Sequence, residues 1–146
     1  MVEDCDVPQD YIIRLLQQLG AVLAAIAGKK TSGDLAGAEQ EIAEQCLRHT
    51  GLPLVVVKQS SPEDLAALLA MGGALQVPRA LLLAELLREE AELNELRGNP
   101  PGAVLSYRQA LRLIDDALPT LRGEDEAVFR DRQAMIATKV RDLAGG

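Results

Sequence analysis

Gly98-Asn99-Pro100-Pro101-Gly102-Ala103-Val104-Leu105-Ser106-Tyr107-Arg108-Gln109-Ala110-Leu111-Arg112-Leu113 is the stretch whose reading decides the fold. Glycine tolerates the left-handed backbone that closes a helix, so Gly98 marks the end of one. Asn99 is suited to accept from the free N–H groups of the next helix. Pro100 suits a first turn, where its missing N–H has no partner anyway. Ala103, Val104, Tyr107, Ala110, Leu111 and Leu113 or Ile114 then recur at helical spacing. Upstream, Val77-Pro78 opens a helix carrying Leu82, Leu83, Leu86, Leu87, Ala91 and Leu93 or Leu96. Two helices joined by so short a turn pack antiparallel.

The frame Gly-[Asp/Asn]-x-x-Gly-Ala occurs a second time, at Gly33-Asp34-Leu35-Ala36-Gly37-Ala38. Each copy predicts an antiparallel pair, over residues 8–50 and 78–118, with the Ala as the small site where the helices cross. In the first pair, Pro8 begins a helix with Ile12, Leu15, Leu16, Leu19, Val22, Leu23 and Ile26 along it. Gly28 is the predicted stop, with Lys29 and Lys30 near the negative end of the dipole. Beyond Leu19 nearly every position is apolar or small, which predicts a helix enclosed on several sides. Ser32 is the predicted cap of the next helix, which turns Leu35, Ala38, Ile42, Cys46 and Leu47 inward and ends near Gly51.

Leu52-Pro53-Leu54-Val55-Val56-Val57 is the one strand-like run. A strand with no mate leaves its backbone groups unsatisfied, so it reads as an extended or partly helical connector. Ser61-Pro62-Glu63-Asp64 is a capping signal opening a helix that ends at Gly72-Gly73. Pro119 and Gly123 break the chain before a last helix carrying Ala127, Val128, Met135, Ile136, Val140 and Leu143. The expectation is an all-α fold: about six helices in antiparallel hairpins, forming one helical domain over residues 1–146.

The 98–113 stretch resembles a tetratricopeptide repeat, whose Gly, Ala, aromatic and Ala-Leu pattern it follows through Gly98, Ala103, Tyr107 and Ala110-Leu111. Ala91 stands where that family places a small residue. The departures are Leu87 at the Trp site, Asn94 at the Tyr site and Asp115 at the closing Pro. In the first pair Ile42 replaces the aromatic and Gln45 the second Ala. The resemblance implies a helical hairpin at about 78–118 within a bundle or short superhelix, without the steady period of a long array. The whole chain also resembles a family of uncharacterised bacterial helical proteins. The segments that carry this are Asp10-Tyr11-Ile12-Ile13-Arg14-Leu15-Leu16, Ser61-Pro62-Glu63-Asp64-Leu65 and Leu83-Ala84-Glu85-Leu86-Leu87 leading into Ser106-Tyr107-Arg108-Gln109-Ala110-Leu111. That likeness implies a bacterial cytoplasmic protein and brings no activity.

Composition agrees with helices: 48% of residues are hydrophobic but only 2% aromatic, so aliphatic side chains must build the core. A net charge of −7, with no basic stripe and no Trp, disfavours nucleic acid as a partner. The acidic start Met1–Asp10 lacks the layout of a signal peptide. The most apolar run, Leu19 to Ala27, is short of the roughly 20 residues a membrane span needs. Cys5 and Cys46, the only cysteines, read as reduced thiols. The expectation is a cytoplasmic protein with no membrane partner.

Residues suited to chemistry are few. His49 is the only histidine and reads as a helix-end residue favoured by the dipole. Without a second His or a CxxC there is no zinc set. Glu85, Glu89 and Glu92 fall on one helix face, with Arg88 between them. Three carboxylates suit a divalent cation when a facing helix adds oxygens. Arg88 opposes that, and a solvated acidic face is the expectation. Arg14, set between Ile13 and Leu15, reads as half of an ion pair to a neighbouring helix. Acidic neighbours blunt Cys5 as a nucleophile, Cys46 belongs to the core, and Tyr107 wedges between paired helices. Gly28, Gly33 and Gly37 lack the flanks of a phosphate loop.

No cofactor is implied, and no catalytic constellation is present. The reading is a non-catalytic interaction or assembly module, with a protein partner or a second copy bound, most simply as a homodimer through surplus apolar surface of the first helix. Arg14, Glu85, Glu89 and Glu92 are its candidate polar site. The alternative is a small-molecule or lipid-binding bundle with an aliphatic cavity. An acid-based metal enzyme ranks third.

Overall fold

The computed structural model describes residues 11–70 and 73–145. The predicted start at Pro8, the acidic N-terminus with Cys5, the helix end at Gly72 and the last glycine lie outside the described residues, as does the side chain of Tyr11. Among the described residues there are seven α-helices and no strand. They are α1 (Tyr11–Ser32), α2 (Leu35–Thr50), α3 (Leu54–Gln59), α4 (Pro62–Leu68), α5 (Val77–Leu96), α6 (Pro100–Ala117) and α7 (Gly123–Gly145). A 3-10 turn, Leu118–Thr120, joins α6 to α7.

The two Gly-[Asp/Asn]-x-x-Gly-Ala frames build the same junction. At the first, Gly33 takes φ +88°, the Gly33 N–H donates to Lys30 O (3.2 Å) and the Asp34 N–H to Lys29 O (2.8 Å). At the second, Gly98 takes φ +72°, with its N–H on Glu95 O (3.1 Å) and the Asn99 N–H on Asn94 O (2.8 Å). These paired bonds are the Schellman closure, which satisfies carbonyls a helix end leaves free. Asp34 and Asn99 then cap the following helix, accepting from the Gly37 N–H (3.0 Å) and the Gly102 N–H (3.3 Å). The second glycine makes room for that cap. A Cβ on Gly37 would stand 2.2 Å from Asp34 Oδ2, and one on Gly102 2.4 Å from Asn99 Nδ2. Ala38 and Ala103 are fully buried at the crossings.

This corrects two expectations. α1 passes through Gly28 and stops at Gly33, because only there does the following residue close on the helix and cap the next one. Ser32 is not the cap, since its hydroxyl turns back to Lys29 O (3.1 Å).

The strand-like run is helix α3, which makes the seventh helix beyond the six expected. A six-residue helix has too few internal bonds to stand alone. Gln109 of α6 holds it, donating through Nε2 to Val57 O (2.8 Å) and Ser60 O (2.7 Å). Leu54 and Val57 point inward. Ser61 caps α4, accepting from the Asp64 N–H at 3.0 Å, and α4 ends at Leu68, before the glycine pair.

α5 lies at the centre, against α1, α2 and α6, while α6 also meets α4 and α7. Every residue from Ala80 to Leu87 is buried, the mark of a helix covered on all sides. α1, α5 and α7 run the same way, with α2 and α6 antiparallel beside them. Lys30 of α1 reaches Glu89 and Glu92 of α5, and α7 touches α5 at Glu85 through Arg132, then at Glu95 through Lys139. At the other end of the molecule the Asp125 carboxylate of α7 accepts from the Ile12 N–H (3.4 Å) and the Ile13 N–H (3.1 Å) of α1.

α1 is less enclosed than its composition suggests. Ile12, Leu19 and Ile26 are buried, but Ala21, Ala24, Ala25 and Ala27 are exposed. The helix forms an edge of the bundle, where alanines leave little apolar area in water. By length and composition alone, Ile12–Ser32 is long and apolar enough to cross a membrane, a longer stretch than Leu19–Ala27. In α7, Phe129 and Ile136 face inward, whereas Ala127 and Met135, expected there, are exposed. Leu47, also expected inside, is 53% exposed.

Candidate binding cleft between three parallel helices

Glu85, Glu89 and Glu92 share one face of α5, as their spacing predicts, but that face is not a solvated one. Glu85 and Glu89 are buried, because α1 and α7 flank α5 on this side. Lys30 Nζ lies 2.5 Å from Glu89 Oε1 and 2.7 Å from Glu92 Oε1. Arg88 contacts Glu85 (3.1 Å), Glu92 (3.2 Å) and Glu89 (3.7 Å). Arg132 reaches Glu85 at 2.8 Å. A continuous lattice of ion pairs therefore runs from α1 across α5 to α7.

Burial opposes the charges on Lys30 and Arg88, yet the carboxylates outweigh it and hold both pKa values above the ordinary range. Each carboxylate is taken by at least one cation, so the triplet has little negative field left for a divalent metal. Arg14 does not join the lattice. It is exposed on α1, about 24 Å along the helix from Lys30 at 1.5 Å per residue.

Toward the C-terminal ends of α1 and α7 the two helices part and leave a cleft of about 430 Å³, floored by α5. Its walls are Ala27, Lys30 and Thr31 of α1 and Lys139 of α7, and its floor is Glu92, Glu95 and Leu96. Glu95 is shared between Lys139 Nζ (3.2 Å) and the Tyr107 hydroxyl, which donates at 2.6 Å. Burial, then the Glu95 carboxylate, push the Tyr107 phenol well above its usual pKa. Tyr107 is a packing residue whose hydroxyl tip orients an acid of the cleft. The mixture of two ammonium groups, two carboxylates and the 57% exposed Leu96 suits a segment offering both polar and aliphatic groups.

Lys30, Glu95, Arg132 and Lys139 escaped the sequence reading. The one signal available was Lys30 in the last turn of an apolar helix, where a cation reads equally well as a dipole partner.

A second buried polar group lies around α3. Lys58 Nζ bridges Glu39 of α2 (2.9 Å) and Glu90 of α5 (3.0 Å), and Arg97 also reaches Glu39 (3.1 Å). Glu90 and Gln109 are fully buried, and each keeps one side-chain oxygen without a partner among the described residues. Burial raises the Glu90 pKa above the carboxylate range.

His49 is half-buried, its ring 3.1 Å from Gln45 Oε1. The Cys46 thiol is buried, with Leu52 O at 3.3 Å, and burial raises its pKa. Both sit on α2, away from the cleft. Comparison of the chain with protein-family models, curated proteins and solved structures gives no match.

Proposed function

We propose that this protein is a non-catalytic interaction module, built of tetratricopeptide-like helical hairpins, that takes a segment of a partner protein into the α1/α5/α7 cleft. The observation that carries the reading is the pair of equivalent junctions at Gly33-Asp34 and Gly98-Asn99. They make two like hairpins, α1–α2 and α5–α6, stacked so that the first helix of each lines the same side. Stacked hairpins of this kind present a continuous surface to a partner. In the cleft the titratable groups are held in ion pairs rather than set beside a nucleophile, an arrangement for recognition rather than bond-making. The bacterial cytoplasm is the setting we propose, where the Cys46 thiol stays reduced.

A photo-crosslinking residue in place of Leu96, in cells that make the protein, should yield a discrete adduct with another protein. The same residue in place of Ala25, exposed on the side of α1 turned away from Ala27, Lys30 and Thr31, should not. Lys139→Ser should lower the Leu96 adduct. Equal labelling from both positions would overturn the reading.

A further inference from the structure

On the α1 side of α2 the chain carries a smaller groove, of about 200 Å³. Leu15, Leu19 and Val22 of α1, with Leu82 of α5, form its apolar side. Gln18 of α1 and Gln45, Arg48 and His49 of α2 form its polar side. It shares no residue with the α1/α5/α7 cleft. In a chain of net charge −7, no carboxylate lines this groove among the described residues.

The lysines of the cleft are held by Glu89, Glu92 and Glu95. Lys58, which lines the groove between α2 and α3, is held by Glu39 and Glu90. Arg48 takes no ion pair among the described residues, and the C-terminal dipole of α2 favours its positive charge there. One turn before it stands Gln45, only 5% exposed. Gln45 Oε1 accepts from His49 Nε2 at 3.1 Å. Gln45 Nε2 reaches only Glu41 Oε2 among the described residues, at 3.4 Å, beyond the usual length of an N–H···O bond. Glu41 is itself met by Lys29 at 3.8 Å. A buried amide donor held so loosely leaves an N–H for an acceptor that enters the groove. Arg48 and Gln45 share one face of α2, so both can donate to a single carboxylate.

We propose that this groove binds a short aliphatic carboxylate, its oxygens on the Arg48 guanidinium and Gln45 Nε2 and its hydrocarbon chain against Leu15, Leu19, Val22 and Leu82. Size sets the length of that chain. At the roughly 30 Å³ share of a water-sized unit, the groove takes about seven non-hydrogen atoms, the count of pentanoate.

Amide NMR of the full chain, titrated with sodium pentanoate at constant ionic strength, should show saturable shifts centred on Leu15–Val22 and Gln45–Thr50. The dissociation constant expected of so small a ligand is roughly 1 mM. Acetate lacks the chain and pentanamide lacks the charge, so each should bind at least about tenfold more weakly. Arg48→Gln should weaken pentanoate binding at least about tenfold. Gln18→Glu should weaken it too, and Gln18→Lys should not. Both side chains are exposed, and unchanged thermal melts would show the fold intact. N-acetyl-leucine offers the carboxylate of a protein chain end on a bulkier body, and should bind more weakly than pentanoate. Shifts that fail to saturate by about 10 mM, pentanamide binding as well as pentanoate, or Arg48→Gln binding like the parent would overturn the proposal. Tighter binding of N-acetyl-leucine would overturn the free acid as the occupant.

Discussion

The Lys30 ammonium lies 2.5 Å from Glu89 Oε1, although 59 positions separate the two residues. Both side chains are nearly out of water, at 9% and 8% relative exposure. The contact fastens the C-terminal half of α1 to the middle of α5, as Asp125 fastens the other end of α1 to α7. Without these two ties the edge helix would rest mainly on Ile12, Leu19, Ile26 and the half-buried aliphatics beside them.

Lys30→Ala should therefore destabilise by about 3 kcal/mol, the low end for breaking a buried pair, because Arg88 still faces the abandoned Glu89. Glu92→Gln should change stability by under about 1 kcal/mol, since Glu92 is the most exposed carboxylate of the lattice. Urea denaturation of the two variants beside the parent measures the contrast.

The cap at Asn99 and the glycine at Gly102 act as one device. Asn99→Ala should cost about 1 kcal/mol, the usual value of an N-cap. Gly102→Ala should cost a similar amount, because the new Cβ displaces the Asn99 side chain. The double variant should lose little beyond either single one, since the same hydrogen bond is removed each time. Equilibrium unfolding of the three variants tests the non-additivity.

Gln109→Ala should free α3. The variant removes both donors that hold Val57 O and Ser60 O, and those carbonyls sit where water reaches them poorly. Hydrogen exchange should show faster opening of the Leu54–Ser60 amides with little change in α6. A loss of about 1–2 kcal/mol in global stability should accompany it. Unchanged exchange in α3 would mean that Lys58 alone secures it.

Stability should fall at both ends of the pH scale, for opposite reasons. Burial opposes the Glu39 charge, but Lys58 and Arg97 outweigh it and lower its pKa from 4.5. Its contribution is present above that value and is lost as pH falls through the lower folded pKa. Lys30 and Lys58 are raised from 10.5, so their contributions hold below that value and vanish as pH climbs through the folded pKa.

Glu90 runs the other way. Its folded pKa lies above 4.5, so its contribution is present below 4.5 and is lost as pH rises through the folded value. Relative to the parent, Glu90→Gln should therefore gain stability as pH rises from 4.5 through the folded pKa of Glu90. Thermal melts across that range would show the gap between the two proteins widening.

The junctions were legible because their chemistry is local. Gly98-Asn99-x-x-Gly-Ala spells a turn, a cap and a crossing within six residues, and the structure builds it twice in the same way. Gly28 does not stop α1, because a glycine alone does not end a helix; the residue after it must close on the preceding turn and cap the next helix, as Asp34 does. The α3 helix was illegible for another reason. Its sequence is β-branched, and its helical state depends on Gln109, about 50 residues further along the chain.

From residue order alone came the all-helical class, the helix faces of α5 and α6 and the alignment of Glu85, Glu89 and Glu92. Each follows from spacing along a single helix, which the backbone repeat dictates. Tertiary structure decided which faces meet water. α5 became the central helix, so its acidic stripe is buried and its partners, Lys30 and Arg132, arrive from helices distant in sequence. The sequence carries no signal for that pairing, because which cation meets a carboxylate across helices depends on how the helices pack, and only the packed core sets that.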